Sequence, residues 1–213
     1  MRILVVDDHE FTREGVIGIL SDAFSVTKVA RAGNYNDAVK LARETKWDLM
    51  VVDINLADIS GLELIKMARK FDAKVPILVL SMVPVAQYLK RILQAGATGY
   101  ITKSEPTEEL VHAVRLLMRG MKYFSPQVQQ EMPAFIDEVV EQHPVHAELS
   151  DREFEILRRL AEGKTTKDIA IEYKISASTV NEYRRRLLTK LHAKSNLDLM
   201  SYAYQNGIVG KSG

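Results

Sequence analysis

Three acidic residues and one lysine each stand directly after a short hydrophobic run of the sequence: Asp7 and Asp8, Asp53, and Lys103. Apolar runs of this length, separated by turn signals and helical patterns, are typical of buried parallel strands. In an open parallel sheet, the ligand crevice lies outside the carboxyl ends of the strands. The sequence therefore predicts one crevice with three carboxylates and one ammonium group.

This set of side chains suits a hard cation and a phosphoryl group. Carboxylates held this close repel one another, so such a cluster normally holds a cation, and oxygen ligands without Cys favour Mg²⁺. Lys103 pairs with a phosphoryl oxygen or with Asp53, and Ser81 offers a hydroxyl at the end of another apolar run. A carboxylate also acts as a nucleophile and becomes an aspartyl-phosphate. The alternative is solvated carboxylates beside a surface lysine, and four matching strand ends argue against it.

The elements that position these residues alternate over the first 120 residues. Strands are predicted near 2–7, 26–31, 49–53, 77–81 and 99–102, and helices near 10–21, 35–46, 61–70, 85–95 and 106–119. Five βα repeats with parallel connections predict a doubly wound α/β domain of flavodoxin-like type with a five-stranded sheet.

The rest of the chain has a different pattern. Gly120 to Pro126 interrupts the alternation, and we predict a linker over 121–148 in which residues 127–142 form either a polar helix or a flexible segment. A capping box, Ser150 with Glu153, starts an all-α domain over 149–213. Its later helices are predicted near 166–173, 177–191 and 196–206, and the first two of these form a helix-turn-helix.

Composition adds a charge asymmetry. The chain has 213 residues and a net charge of +1, yet residues 149–213 carry 12 Lys and Arg against 8 Asp and Glu, while residues 121–148 carry 1 against 5. A polyanion partner is expected for the basic end. The chain has 0 cysteines, which excludes disulfides and thiolate zinc sites. We find neither a signal peptide nor an apolar run long enough to span a membrane, and we expect a cytoplasmic protein without a membrane partner.

The predicted helix over 177–191 has an apolar stripe and a basic face. Three consecutive arginines, Arg184 to Arg186, fan over about 200° of the helix at roughly 100° per residue. They cannot all enter one groove, so one or two are expected on flanking phosphates. A solvated basic helix is the alternative, but the preceding short helix and tight turn present this helix outward.

Residues 1–120 resemble the receiver domain of a two-component response regulator. The resemblance rests on Val6-Asp7-Asp8-His9, Asp53-Ile54-Asn55-Leu56, Gly61, Ser81, Ala95-Gly96-Ala97, Gly99-Tyr100 and Lys103. It implies that a sensor histidine kinase phosphorylates Asp53. It also implies that Asp8, Asp53 and the backbone carbonyl of Asn55 ligate Mg²⁺, that Asp7 acts through water, and that Lys103 pairs with the phosphoryl group.

The same resemblance implies a switch. Ser81 moves to bond a phosphoryl oxygen, and Tyr100 turns inward into the space that Ser81 leaves. From the pattern alone, Tyr100 reads instead as a strand residue with a half-exposed ring. Ala57 and Ser104 stand where many receivers have proline, which puts in doubt the lifetime of the phosphorylated form but removes no ligand.

A second set of motif residues lies in the C-terminal segment: Leu149-Ser150-Asp151-Arg152-Glu153, Leu157, Leu160, Gly163, Ile169-Ala170, Ile175-Ser176, Thr179-Val180 and Lys190-Leu191. On these residues, positions 149–209 resemble the LuxR-type helix-turn-helix, so the whole chain resembles a response regulator of the NarL/FixJ type. The resemblance places 177–191 in the major groove of double-stranded DNA as the recognition helix. The residues expected to contact DNA are Thr166, Lys167, Ser178, Thr179, Asn181, Glu182, Arg184, Arg185 and Lys190. Asn181 and Tyr183 depart from the commoner Lys and His, and Asn reads adenine where Lys contacts guanine or phosphate.

The resulting hypothesis is a transcriptional regulator, not an enzyme, that binds paired half-sites as a homodimer. Leu199 and Tyr202 are candidates for a dimer contact, or they complete the helical core. One rival is a DNA-binding protein whose receiver serves only for dimerisation, without phosphorylation. Another is an aspartyl-phosphate hydrolase, which usually needs a second carboxylate where Asn55 stands here.

Overall fold

The computed structural model describes residues 1–57, 59–82, 88–126, 128 and 145–209. The chain divides into two compact units, Met1–Phe135 and Ile136–Gly213. None of the helices in these described ranges is long and apolar enough to cross a membrane.

The first unit is a parallel sheet with helices on both faces. Its strands are β1 (Arg2–Val6), β2 (Lys28–Ala32), β3 (Leu49–Val52), β4 (Ile77–Ser81), β5 (Gly99–Thr102) and β6 (Tyr123–Phe124). Its helices are α1 (Glu10–Ala23), α2 (Tyr35–Glu44), α3 (Gly61–Phe71), α4 (Leu89–Ala95) and α5 (Thr107–Leu117). The strand order is β2-β1-β3-β4-β5-β6, and every adjacent pair is parallel. The predicted doubly wound α/β architecture is confirmed.

The sheet has six strands in the described part of the chain, where we predicted five. The additional strand pairs with β5 in the register Gly99 with Tyr123 and Tyr100 with Phe124. Two residues are too few to show the alternation by which a strand is recognised in a sequence, and Gly120 precedes them closely. The pairing is nevertheless favourable, because Tyr123 and Phe124 are both buried.

The core explains why the strands read as continuous apolar runs. The inner strands are buried on both faces. One face packs against α1 and α5, in a cluster made of Ile3, Val5, Val16, Ile17, Leu20, Leu49, Val51, Leu78, Leu80, Ile101, Leu110, Ala113, Val114, Leu117 and Tyr123. On the other face α2 neighbours α3, and α3 neighbours α4.

The second unit is helical over its described residues. A short 3₁₀ helix (Val145–Glu148) precedes α6 (Asp151–Ala161), α7 (Thr166–Glu172), α8 (Ala177–Lys190) and α9 (Asn196–Gln205). These bounds lie within two residues of the predicted ones. The predicted linker helix over 127–142 and the first residues of the predicted helix over 85–95 fall outside the described residues, apart from residue 128.

Side-chain caps fix where these helices begin. Ser150, Thr165 and Ser195 each form a capping box with the acidic residue three positions later, and Ser176 accepts the amide hydrogen of Thr179. The bond from Thr165 lowers the pKa of Asp168. Thr165, and not Thr166, is therefore the cap of α7, which leaves Thr166 in the first turn of that helix.

Candidate functional site

The sheet register brings the predicted acidic residues to one edge. Val6 lies beside Val52, so the residues that follow them, Asp7 and Asp53, leave adjacent strands together. The amide of Asp53 donates to the Val6 carbonyl at 2.9 Å, and the amide of Lys103 donates to the Ser81 carbonyl at 2.9 Å. β1 lies between β2 and β3, where the strand order reverses, and this is where ligands bind in such sheets.

One ammonium group joins the two buried carboxylates. Lys103 Nζ lies 2.7 Å from Asp7 Oδ2 and 2.6 Å from Asp53 Oδ2. Asp7 and Asp53 are each 3 % exposed, so water offsets little of their charge. Because two carboxylates share one cation here, the group keeps a net negative charge that a further cation can neutralise.

The protonation of this group reflects that imbalance. Burial raises the pKa of Asp53, the nearby Asp7 raises that pKa further, and Lys103 only partly opposes the shift. Burial also acts to lower the pKa of Lys103, but attraction to Asp53 and hydrogen bonds to both carboxylates raise that pKa overall. Lys103 therefore stays charged at neutral pH.

Asp8 and His9 complete the acidic edge. His9 Nδ1 lies 2.8 Å from Asp8 Oδ1, and the His9 amide donates to Asp7 Oδ1 at 2.8 Å. The ligand atoms of Asp7, Asp8, His9 and Asp53 all lie within 4.8 Å of one another. We did not predict a role for His9, although its position directly after two aspartates was the available signal.

The donor set fits a hard cation. It consists mainly of carboxylate oxygens, and Asn55 Oδ1 is buried without a hydrogen-bond partner among the described residues. The amide of Asn55 donates to Asp53 Oδ1 at 3.1 Å, which holds the loop after β3 against the carboxylate. Carboxylates of this arrangement can hold a metal ion.

Gly61 lets α3 begin against this loop. A Cβ atom at residue 61 would lie 2.0 Å from the carbonyl oxygen of Asp53 and 2.8 Å from the Cα of Ile54. The amide of Gly61 also donates to the Ile54 carbonyl at 2.8 Å. The close packing of these two backbones therefore requires glycine.

The two predicted switch residues lie on neighbouring strands. Ser81 ends β4 and Tyr100 belongs to β5, and both are 0 % exposed. The expectation of a half-exposed Tyr100 ring, drawn from the pattern alone, is wrong. The Tyr100 ring is buried in the sheet beside the strand that ends at Ser81.

The helix-turn-helix presents α8 with its core stripe inward. Val180 and Leu187 are buried, whereas Ser178, Asn181, Glu182 and Arg185 are exposed. These four exposed positions follow the i, i+3, i+4, i+7 spacing of one helix face. This is the face that the sequence predicts to contact DNA.

The three arginines of α8 differ in their partners. Arg184 Nε donates to Asn196 Oδ1 at the start of α9. Arg186 pairs with Glu182 one turn earlier, and its guanidinium lies 5.7 Å from the centre of the Tyr183 ring. Arg185 has no side-chain partner among the described residues. This guanidinium is the most available of the three for an anion.

Other predicted contacts lie around α8. Lys190 Nζ pairs with Glu153 Oε2 at 2.7 Å, so the predicted contact of Lys190 with DNA would compete with that pair. Lys167 is exposed and Thr166 is half-buried in the first turn of α7, while Thr179 is half-buried on α8. A shallow groove of about 420 Å³ runs between α7, α8 and α9, and Thr166, Arg184 and Asn196 are among its lining residues.

The two candidates for a dimer contact have different surroundings. Leu199 is fully buried in the helical unit, so it completes the core. The hydroxyl of Tyr202 accepts a hydrogen bond from the His146 amide at 3.2 Å. This bond ties the 3₁₀ helix to α9.

Comparisons with known proteins match both units. Residues 3–115 match the response regulator receiver domain, and residues 147–203 match the bacterial regulatory proteins of the luxR family. The chain is 32 % identical to the response regulator GacA of Pseudomonas aeruginosa over 209 residues, which cover 98 % of each protein.

Solved structures agree with this assignment. A LuxR-family two-component response regulator from Aurantimonas is 34 % identical, covers 66 % of this chain and 98 % of its own, and has a TM-score of 0.60. RcsB of Salmonella enterica serovar Typhimurium, bound to a promoter with a phosphomimetic, shares the fold with a TM-score of 0.60 at 21 % identity, over 95 % of this chain and 97 % of its own. The chain therefore belongs to the two-component response regulators that join a receiver domain to a LuxR-type DNA-binding domain.

Proposed function

We propose that Asp53 accepts a phosphoryl group from a sensor histidine kinase and that this transfer controls DNA binding by the helical domain. The observation that carries the proposal is the Lys103 ammonium between the buried carboxylates of Asp7 and Asp53. Domain bounds of 1–120 for the receiver, 121–148 for the linker and 149–213 for the DNA-binding domain belong to this proposal. Its action on DNA places the protein in the cytoplasm.

The transfer uses the carboxylate of Asp53 as the nucleophile. A carboxylate oxygen attacks the phosphorus of a phosphohistidine, the P–N bond breaks, and the histidine ring leaves with its electron pair. Lys103 then turns its ammonium to a phosphoryl oxygen, since the added negative charge attracts the cation more strongly than Asp7 does. Burial of Asp53 keeps competing water away from the reacting carboxylate.

Mg²⁺ fits the acidic edge of this site. Asp8, Asp53 and the backbone carbonyl of Asn55 would hold the ion, and Asp7 would contact it through water. When bound, the ion neutralises negative charge that builds up on the phosphoryl oxygens. The unpaired Asn55 Oδ1 and the carboxylate cluster support this choice.

The output is carried by the two switch residues and the exposed face of α8. A phosphoryl group at Asp53 draws the Ser81 hydroxyl toward it, and the Tyr100 ring on the neighbouring strand then turns into the space that Ser81 leaves. Two copies of the chain then bind paired half-sites on double-stranded DNA, with Asn181, Glu182 and Arg185 toward the bases. A structure of RcsB, which shares the fold, holds a promoter in the presence of a phosphomimetic, and this supports the proposal.

Labelling with a small acyl phosphate and Mg²⁺ tests the acceptor. Intact-mass spectrometry should show one phosphoryl group on the wild type and none on Asp53→Asn. Asp22→Asn is the matched control, because Asp22 is exposed on α1 and should leave labelling unchanged. Full labelling of Asp53→Asn would show that another residue is the acceptor.

A further inference from the structure

One acidic residue stands in the middle of the exposed face of α8. Glu182 is the only acidic residue of this helix, and it lies beside Asn181 and one turn before Arg185 and Arg186. Its side chain is 51 % exposed. A carboxylate here requires an explanation, because the face is proposed to approach a polyanion.

The chemistry of DNA limits what this carboxylate can contact. Phosphates repel it, and every phosphate contact on the helix is weakened by its charge. In the major groove, guanine and thymine present acceptors that also repel the carboxylate. Adenine presents an amine beside its N7 acceptor, whereas cytosine presents its exocyclic amine alone, and this amine can donate a hydrogen bond to the carboxylate. Glu182 therefore strengthens DNA binding when it lies against a cytosine and weakens binding at most other positions.

Arg186 reduces the repulsion between the carboxylate and the DNA phosphates. The Arg186 guanidinium pairs with Glu182 and lies 5.7 Å from the centre of the Tyr183 ring, so a positive charge stays beside the acid. Both partners are half exposed, and ion pairs as exposed as this one are weak. Glu182 can therefore turn from Arg186 to a base at small cost.

We propose that Glu182 is a specificity-determining residue that selects a cytosine at one base pair of the operator half-site. The inference rests on the proposed function, in which α8 enters the major groove. The carboxylate accepts a hydrogen bond from the cytosine amine while Arg186 keeps its neighbourhood neutral. Glu182 thereby lowers affinity for DNA in general and raises selectivity for one sequence.

The test compares the DNA sequences selected by the acyl-phosphate-treated wild type and by Glu182→Gln. Each protein first selects the duplexes that it binds from a pool of random sequence. Dissociation constants are then measured on four duplexes that differ only at the base pair where the two selected sequences differ. We expect the wild type to prefer cytosine about 10-fold and Glu182→Gln to lose that preference. Glu182→Gln should also bind unrelated DNA several-fold more tightly, because one repulsive charge is gone.

Two further variants separate base contact from other roles. Glu148→Gln removes an exposed carboxylate outside α8 and should keep the cytosine preference. Arg186→Gln should weaken binding but also keep that preference, since Glu182 remains. If Arg186→Gln and Glu182→Gln change the selected sequence in the same way, Glu182 acts only through Arg186 and the proposal is overturned.

The outcomes also separate this inference from the function on which it rests. A wild type that binds DNA with the same base preference as Glu182→Gln overturns the inference alone. A wild type that binds no duplex from the pool, although it carries the phosphoryl group, overturns both.

Discussion

In the acidic crevice Asp7 and Asp53 are buried and share the ammonium of Lys103, whereas Arg185 on α8 lies exposed without a side-chain partner among the described residues. The charged residues of the crevice follow three strands, β1, β3 and β5, that are far apart in the sequence. The helix presents its charges from one continuous segment. Charges of the first kind act through burial and pairing, and charges of the second kind act through access to a partner. Mutations should therefore change folding stability in the crevice and DNA affinity on the helix.

The largest effect on stability is expected from Lys103→Met. This change leaves Asp7 and Asp53 buried without their cation, and removing one partner of a buried ion pair destabilises proteins by about 3–5 kcal/mol. Urea unfolding in the presence of EDTA measures the loss. Lys74→Met is the control, since Lys74 is exposed, and it should change the free energy of unfolding by less than about 0.5 kcal/mol. Equal stabilities of the two variants would show that the crevice charges are not coupled as described.

Gly61→Ala should cause the next largest loss of stability. Its Cβ would lie 2.0 Å from the Asp53 carbonyl oxygen, so the backbone of the crevice loop must shift, and we expect a loss of about 2–3 kcal/mol. Gly15→Ala offers the opposite result, because Gly15 lies inside α1 with nothing within 4 Å of the added atom. A gain of about 0.5–1 kcal/mol is expected there. Thermal or urea unfolding of both variants checks the sign of each change.

On the helix, Arg185→Ala should weaken DNA binding by about 1–3 kcal/mol with little change in stability. Arg186→Ala should have a smaller effect, because Arg186 already pairs with Glu182. Dissociation constants at several salt concentrations distinguish a phosphate contact, which flattens the salt dependence, from a base contact, which does not. If Arg186→Ala proves the more damaging change, the partners seen in the structure do not determine which arginine meets DNA.

The smallest effect is the pH dependence of Asp53. Because burial raises the pKa of Asp53 above its ordinary 3.8, the folded protein binds this proton more tightly than the unfolded chain does. Stability from this group is therefore present at low pH and is lost as the pH rises through the raised pKa. Asp53→Asn lacks this loss, so its stability relative to the wild type should increase from about pH 4 up to the raised pKa and stay constant above it. Urea unfolding of both proteins in EDTA would contradict the account if the difference were constant with pH.

The comparison also shows where sequence reasoning works. Asp7, Asp53 and Lys103 could be placed at one edge because each ends an apolar run and parallel strands end together. The pairing of Lys103 with Asp53 was one of two predicted alternatives, whereas its bond to Asp7 could not be predicted, because the ends of strands do not specify which side chains meet. The pairing of Tyr123 and Phe124 with β5 was not predicted either, because a strand of two residues carries no periodic signal.

For the helix, the outward face followed from the spacing of Val180 and Leu187. The partners of its charges did not follow, because they come from other elements. Lys190 meets Glu153, which lies 37 positions earlier, and Arg184 meets Asn196 on α9. Such contacts depend on how helices pack, and no local pattern in the sequence encodes them.

The central claim is that one phosphoryl group at Asp53 changes the affinity of the helical unit for DNA. The most direct measurement is the dissociation constant for a selected duplex, before and after acyl-phosphate treatment, for the wild type and Asp53→Asn. We expect about a 5- to 150-fold change for the wild type, the usual range for coupled sites, and no change for Asp53→Asn. A wild type that is fully phosphorylated by mass, yet binds the duplex with unchanged affinity, would contradict the account.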